Sequence, residues 1–135
     1  MSQENVEIVR RVYEAWNRDD LDAVLLLIHP NFELRQPPDL FLGVESVYRG
    51  HAGLRQWWGA VKEPWASLKS HIERTLDEGD AVVSVVQLEG VGRESGAKVA
   101  LPSFANAWRL RSRLVVNLTA YYSLEEALEA VRLRE

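Results

Sequence analysis

The sequence has no cysteine, which excludes disulfides, a thiolate nucleophile and any cysteine-based metal site. Its histidines number three, His29, His51 and His71, and they are too scattered to give a metal-ligand spacing, so no metal and no cofactor are expected. No stretch approaches the roughly 18 unbroken apolar residues of a membrane span. The opening Met1-Ser2-Gln3-Glu4-Asn5 lacks the basic region and apolar run of a signal peptide, which makes a cytoplasmic location the default expectation. Charge of one sign is not concentrated anywhere. The 16 basic and 20 acidic residues give a formal net charge of −4, and the basic ones form no stripe, which argues against a nucleic-acid or anionic-membrane partner. Repeats, low-complexity tracts and linkers are also lacking, so the 135 residues are read as one domain over 1–135.

What is present is a change of hydrophobic period along the chain. Ser2 stands where it can cap a first helix, in which Val6, Val9, Val12, Tyr13 and Trp16 form one apolar stripe. Asp20 is placed to cap a second helix carrying Leu21, Val24, Leu25 and Ile28, ended by His29-Pro30. Asn31 to Gln36 reads as a short strand, with Phe32 and Leu34 on one face and Glu33 and Arg35 on the other. Pro37-Pro38-Asp39 opens a loop. A third helix is predicted over His51 to Lys62, with Leu54, Trp57, Trp58 and Val61 at helical spacing.

From Ser67 onward the period shortens to two. Strands are predicted over Leu68–Leu76, Ala81–Leu88, Lys98–Leu110 and Leu114–Tyr122, joined as an antiparallel meander through turns at Glu78-Gly79-Asp80 and Arg111-Ser112-Arg113. Ser123-Leu124-Glu125-Glu126 is a capping box for a short last helix over Ala127, Leu128 and Val131. Helices followed by strands imply an α+β domain, with a strongly curved antiparallel or mixed sheet forming a cone. About three N-terminal helices and the short C-terminal helix would enclose a pocket.

One strand face carries the chemistry. Alternation puts Phe104, Asn106 and Trp108 together, with Ala105 and Ala107 opposite. An amide between two aromatic rings is too polar for a plain core, so it either contacts a ligand or bonds a neighbouring side chain. Trp16, Trp57 and Trp108 come from elements that would surround one cavity, and rings of that kind suit a flat apolar ligand or simply pack helix on sheet. Tyr13 and Tyr122 each offer a hydroxyl to a ligand oxygen or to the core. Trp58 and Trp65 are expected nearer the surface or a partner chain. Glu33 and Arg35 would pair, either orienting a polar substrate group or forming a solvated salt bridge. Desolvation beside the aromatics would raise the Glu33 pKa toward the range of a general base. His51 is expected to hold a loop or cap, His29 to bond a backbone carbonyl and His71 to lie on the surface.

Several pieces in order resemble the SnoaL-like branch of the nuclear transport factor 2-like superfamily, which includes polyketide cyclases, ketosteroid isomerases and limonene epoxide hydrolases. They are Tyr13-Glu14-Ala15-Trp16-Asn17-Arg18-Asp19-Asp20-Leu21-Asp22-Ala23, His29-Pro30-Asn31-Phe32-Glu33, Tyr48-Arg49-Gly50-His51-Ala52-Gly53-Leu54, Glu78-Gly79-Asp80-Ala81-Val82-Val83 and Tyr121-Tyr122-Ser123-Leu124-Glu125-Glu126-Ala127-Leu128. The resemblance implies the cone, a deep cavity, and a homodimer through the outer sheet face. It also implies a cofactor-independent isomerase, cyclase or hydrolase acting on a small hydrophobic carbonyl or epoxide compound. A non-catalytic binding or dimerisation module and an interaction adaptor are the alternatives. The position of the isomerase-like members' catalytic acid matches Arg35, which cannot act as a base, and the position of their hydrogen-bond-donating acid matches Asn106. In this scheme Glu33 is the base, Asn106 or a tyrosine polarises an oxygen, and Trp16, Trp57, Phe104 and Trp108 hold the ligand beside Arg35, Tyr13 and Tyr122. The Arg111-Ser112-Arg113 turn departs from the family's usual Asp-Gly-Lys type.

Overall fold

A computed structural model describes residues 2–41 and 43–133, with the side chain of Ser2, and hence its capping role, outside the described residues. The elements in chain order are α1 (Ser2–Asn17), α2 (Leu21–Leu25), β1 (Ile28–Arg35), β2 (Val47–Arg49), α3 (Gly50–Lys62), β3 (Trp65–Asp77), β4 (Ala81–Gly92), β5 (Lys98–Ala100), β6 (Phe104–Arg111), β7 (Leu114–Tyr121) and α4 (Leu124–Leu133). One sheet of order β2-β1-β7-β6-β4-β3, with β5 paired to β4, forms the wall of an α+β cone. No helix among the described residues is long and apolar enough to cross a membrane.

The two faces of the sheet follow from alternation. Val82, Val86 and Leu88 of β4 and Phe104 and Trp108 of β6 join the main core with α1, α2 and α3. Ala81 and Val83 of β4 and Ala105 and Ala107 of β6 form a second cluster on the other face, under Ala127 and Val131 of α4. The alanines opposite the aromatic face thus have a use: without bulk beyond Cβ, they let a helix approach the sheet closely. Ser123 Oγ accepts from the Glu126 N–H at 3.2 Å and starts α4 as its capping pattern predicts. Asp20 likewise accepts from Ala23 N at 3.1 Å to start α2.

Two expectations are corrected, the extent of the second helix and the unbroken strand over Lys98–Leu110. The second helix is a single turn, and Ile28, His29 and Pro30 open strand β1 instead of closing the helix. The Leu27 carbonyl accepts from Val115 N at 2.8 Å, so the sheet captures the chain as soon as the proline disfavours helix. β1 runs parallel to β7, pairing Leu34 with Leu118, so the sheet is mixed, while β3, β4, β6 and β7 form the expected antiparallel meander. The strand expected over Lys98–Leu110 is interrupted around Pro102, which cannot donate to a ladder, and becomes β5 and β6. The short β2 has no periodic signal of its own and forms by pairing with β1, Tyr48 opposite Leu34.

The β6–β7 hairpin turns through Ser112 at φ 52° and Arg113 at φ 68°. Two left-handed residues in succession give the turn whose twist matches the flanking strands, a conformation that Asn-Gly pairs adopt with less strain.

Candidate functional site

Between the inner sheet face and the helices lies a cavity of about 70 Å³, several times the roughly 10–15 Å³ needed by one water molecule. Its wall is largely aromatic. Tyr13 and Trp16 come from α1, Trp57 and Trp58 from α3, and Phe104 and Trp108 from β6, while Phe32 and Phe41 complete it. Trp16 meets Trp57 at 5.4 Å and Trp58 at 4.8 Å between ring centroids, and Phe41 sits edge-on to Phe104 at 5.7 Å. These offset and edge-to-face arrangements follow from the ring quadrupoles. Behind this wall Lys62 Nζ lies 4.0 Å from the Trp16 ring centre and 4.3 Å from that of Trp58. It donates to the Trp16 carbonyl at 3.0 Å and pairs with Asp19, so the ammonium clamps two wall rings from outside. Burial pushes the Lys62 pKa down, against the opposing pull of Asp19.

Beside Arg35, Gln36 and Ser70, the polar side of the wall is a cluster in which Tyr13, Asn106 and Trp108 line the cavity and the fully buried Ser84 stands behind them. Asn106 Nδ2 donates to Tyr13 Oη at 2.9 Å, and Trp108 Nε1 donates to Ser84 Oγ at 2.9 Å. The Tyr13 and Ser84 hydroxyls are 2.6 Å apart. Register explains the assembly: Ser84 and Asn106 are directly opposite on β4 and β6, and α1 lowers Tyr13 onto them with its ring edge-on to Trp108 at 5.4 Å. One hydroxyl proton makes the Tyr13–Ser84 link, so the other, with the second amide N–H of Asn106, is left without an acceptor inside the cluster. Trp16 Nε1 is also buried without an acceptor. Burial raises the Tyr13 pKa above its ordinary value, only partly offset by the bonds to Ser84, Asn106 and Trp108. The phenol is therefore a neutral donor throughout the physiological range.

The expected site residues divide into those on the cavity and those off it. Tyr13, Trp16, Trp57, Phe104, Asn106 and Trp108 all line it, and Arg35 reaches its rim while its guanidinium pairs with Glu33. Tyr122 does not, being half exposed at the end of β7. Trp58, expected near the surface, is part of the wall. Glu33 is placed on the face opposite Phe32 and Leu34, away from the aromatics. Arg35 Nε donates to its Oε1 at 2.6 Å and Arg49 Nε to its Oε2 at 3.0 Å. The Arg35 hydrogen bond, opposed by desolvation and reinforced by Arg49, holds the Glu33 carboxyl below the usual carboxylate range. This is the reverse of the shift a general base needs. Because the folded-state pKa lies below the unfolded one, the ion pairs stabilise at neutral pH and are lost as pH falls through the folded value. Exchange of Glu33 for Gln is expected to cost under about 1 kcal/mol in urea unfolding at pH 7, with the difference vanishing in acid. The ligand affinity of the cavity should be unchanged.

Ser70 and Gln36 of the lining, and Ser84 behind it, were not expected. Gln36 Oε1 accepts from Trp57 Nε1 at 3.0 Å and its Nε2 donates to the Glu45 carbonyl at 2.7 Å, joining α3 to the loop that carries Phe41. A buried glutamine directly before two prolines is the signal that points to it. The histidines have structural roles: His51 Nε2 bonds the Ile28 carbonyl at 2.8 Å, and His29 Nδ1 accepts from Asn31 N at 2.9 Å instead of meeting a carbonyl. No group of His, Cys, Asp or Glu among the described residues is arranged to hold a metal.

Comparison with known proteins points the same way as the geometry. Residues 9–118 match the model of the SnoaL-like domain. No curated protein matches the chain. Among solved structures, TerC co-crystallised with polyporic acid superposes with a TM-score of 0.78 at 20% identity, covering 96% of this chain and 98% of that one. An NTF2-like protein of unknown function from Burkholderia pseudomallei gives 0.77 at 22% identity, covering 96% of each chain. A protein of ketosteroid isomerase-like fold from Catenulispora acidiphila, in complex with trimethylamine, gives 0.73 at 19% identity over 91% of this chain and 90% of that one. At these identities the likeness is one of fold.

Proposed function

Since the chain belongs to the SnoaL-like domain family, we propose that it binds a small, mainly apolar compound bearing a carbonyl or similar acceptor oxygen in the aromatic cavity. The observation that carries this reading is the surplus of donors in the Tyr13–Asn106–Ser84–Trp108 cluster, set in a wall that apart from Arg35, Gln36 and Ser70 is made of rings and aliphatic chains. A ligand oxygen that takes the spare hydroxyl proton or the second Asn106 N–H relieves a buried donor, and the rings exclude water from that bond. The structures with polyporic acid and with trimethylamine support the reading that this fold takes up small organic molecules.

A second reading is favoured by what the wall lacks. Among the described residues, Tyr13 and Arg35 are its only titratable members, and both can donate at neutral pH; no described carboxylate, histidine or lysine lines it to accept a proton. The site is thus equipped to hold and polarise an oxygen, not to abstract a proton. Binding alone, or a rearrangement that needs only polarisation, fits these residues better than base-driven isomerisation.

Tryptophan fluorescence with cyclohex-2-enone and cyclohexene as matched probes tests the proposal. The ketone is expected to bind about tenfold more tightly, and Asn106→Leu or Tyr13→Phe should remove the preference while leaving hydrocarbon binding. The affinity is expected to be level from about pH 6 to 9, where burial keeps the Tyr13 phenol neutral, and to fall above that as Tyr13 ionises. Equal binding of the two probes to the parent protein would overturn the donor assignment. Saturable binding of neither would overturn the cavity's role as a ligand site.

A further inference from the structure

Resting on the cavity's role as a ligand site, we propose that the compound it holds carries a second oxygen function, at the end remote from Tyr13 and Asn106, and that Ser70 of β3 is the residue that recognises it.

Ser70 is a polar side chain set in the wall with nothing in the protein to bond. It is 7% exposed. Register points it inward, since it stands opposite Leu88 of β4, whereas its neighbours Lys69 and His71 stand opposite Glu89 and Gln87 on the outer face. Ser70 and Leu88 both line the cavity. The backbone of Ser70 is held on the free edge of the sheet by Asn17, at the end of α1: Asn17 Oδ1 accepts from the Ser70 N–H at 2.7 Å, and its Nδ2 donates to the Ser70 carbonyl at 3.0 Å. The hydroxyl takes no part in this, and among the described residues Oγ has no hydrogen-bond partner. Trp16 Nε1 and Arg109 Nη2 are unpartnered and sealed off, but Ser70 Oγ opens on the cavity. A buried hydroxyl kept in that state is costly, and alanine would fill the same place without the cost.

The two polar ends of the cavity are too far apart for one oxygen to serve both. Ser84 and Asn106 form one inward-facing cross-strand pair, Val86 and Phe104 the next, and Leu88 with Ser70 the one after. From Ser84 to Leu88 is four residues of β4, roughly 13 Å of strand. Between the ends the wall is apolar, made by Val86, Phe104 and Leu88. With a hydrogen bond taken off each end, this spacing fits a compound with an apolar body and oxygens roughly 8–10 Å apart. Two other polar lining side chains are already engaged, Gln36 by Trp57 and the Glu45 carbonyl, and Arg35 by Glu33. Ser70 remains free for the ligand.

Tryptophan quenching by two matched pairs tests the contact: cyclohexanone against 4-hydroxycyclohexanone, and 4-phenylcyclohexanone against 4-(4-hydroxyphenyl)cyclohexanone. A hydroxyl can donate or accept, so it reads Ser70 whichever way the serine proton points. In at least one pair the hydroxyl is expected to tighten binding about fivefold. Ser70→Ala should abolish that gain, keep the preference for cyclohex-2-enone over cyclohexene, and leave the unfolding midpoint unchanged or raised, because it removes an unpartnered buried group. A hydroxyl that adds nothing in either pair, or a gain that survives in Ser70→Ala, would overturn the proposal and show a serine served only by water. The enone preference would then still stand for the Tyr13 and Asn106 end. Binding of no probe at all would overturn both.

Discussion

Replacing Ser84 by Val is expected to lower the unfolding free energy by about 2–5 kcal/mol, far more than a surface serine would cost. Ser84 is fully buried, and its Oγ is the meeting point of two polar groups, accepting from Trp108 Nε1 and sharing a proton with Tyr13. Valine puts a methyl in place of the hydroxyl and adds a second, so the cost combines lost polarity with crowding, and Ser84→Thr, of valine's shape but with the hydroxyl kept, isolates the polar part. The indole N–H and the phenol hydroxyl each lose a partner in a water-free region, at about 1–3 kcal/mol apiece. Tyr13→Phe should cost less, because Ser84 loses the Tyr13 hydroxyl but still accepts from Trp108, and the Asn106 amide loses one partner. Ser84→Thr, which keeps a hydroxyl, should fall between. Urea unfolding at constant m-value measures all three. If Ser84→Val came within about 0.5 kcal/mol of the parent, the cluster would not carry the energy assigned to it. The same variant should bind the ketone probe more weakly, because the released Tyr13 hydroxyl is no longer held in one orientation.

The residues of this cluster differ in how far the sequence exposes them. Phe104, Asn106 and Trp108 are legible because period-two alternation is local, and an amide between aromatics stands out. Ser84 is hidden within a valine-rich strand, where a serine reads as filler. Its importance depends on the register that sets it opposite Asn106 and on a helix from the other end of the chain that brings Tyr13 down. Glu33 shows the converse limit. Alternation correctly separates Glu33 and Arg35 from Phe32 and Leu34, but Arg49 arrives on β2, a three-residue strand too short for any periodicity. That second guanidinium turns a candidate base into a saturated ion-pair centre. The parallel β1–β7 pairing was equally out of reach, since it joins the two ends of the chain and rests on no local turn. The cone itself was readable, because each helix and most strands carry their own period and breakers, and the order of those pieces resembles a family.

Phe32→Ala is expected to cost about 3–5 kcal/mol and at the same time to enlarge the range of ligands accepted. Phe32 is 1% exposed and belongs to the inner face of β1, with Leu34 two residues on, so its ring forms both core and cavity wall. Truncation removes buried apolar area and leaves a void that the sheet cannot collapse to fill. β1 is held between β2 and β7, and Val115 N is bonded to the Leu27 carbonyl at its start. A void beside an existing cavity joins it, so the space of about 70 Å³ should grow toward β1 instead of closing. Phe32→Leu, nearer the original volume, should cost under about 2 kcal/mol and leave the size range almost unchanged. A series of cyclic ketones of increasing ring size, followed by tryptophan quenching, separates the outcomes. The parent should favour small rings, and Phe32→Ala should shift the optimum to larger ones while keeping the preference for ketone over hydrocarbon, since Tyr13 and Asn106 are untouched. A variant that unfolds at normal temperature can be rescued by the larger ketones themselves, because a ligand that binds only the folded state stabilises it by mass action. An unchanged size optimum in folded Phe32→Ala would show that ligands do not reach the β1 wall, and would confine binding to the side of the cavity formed by Trp57 and Phe104.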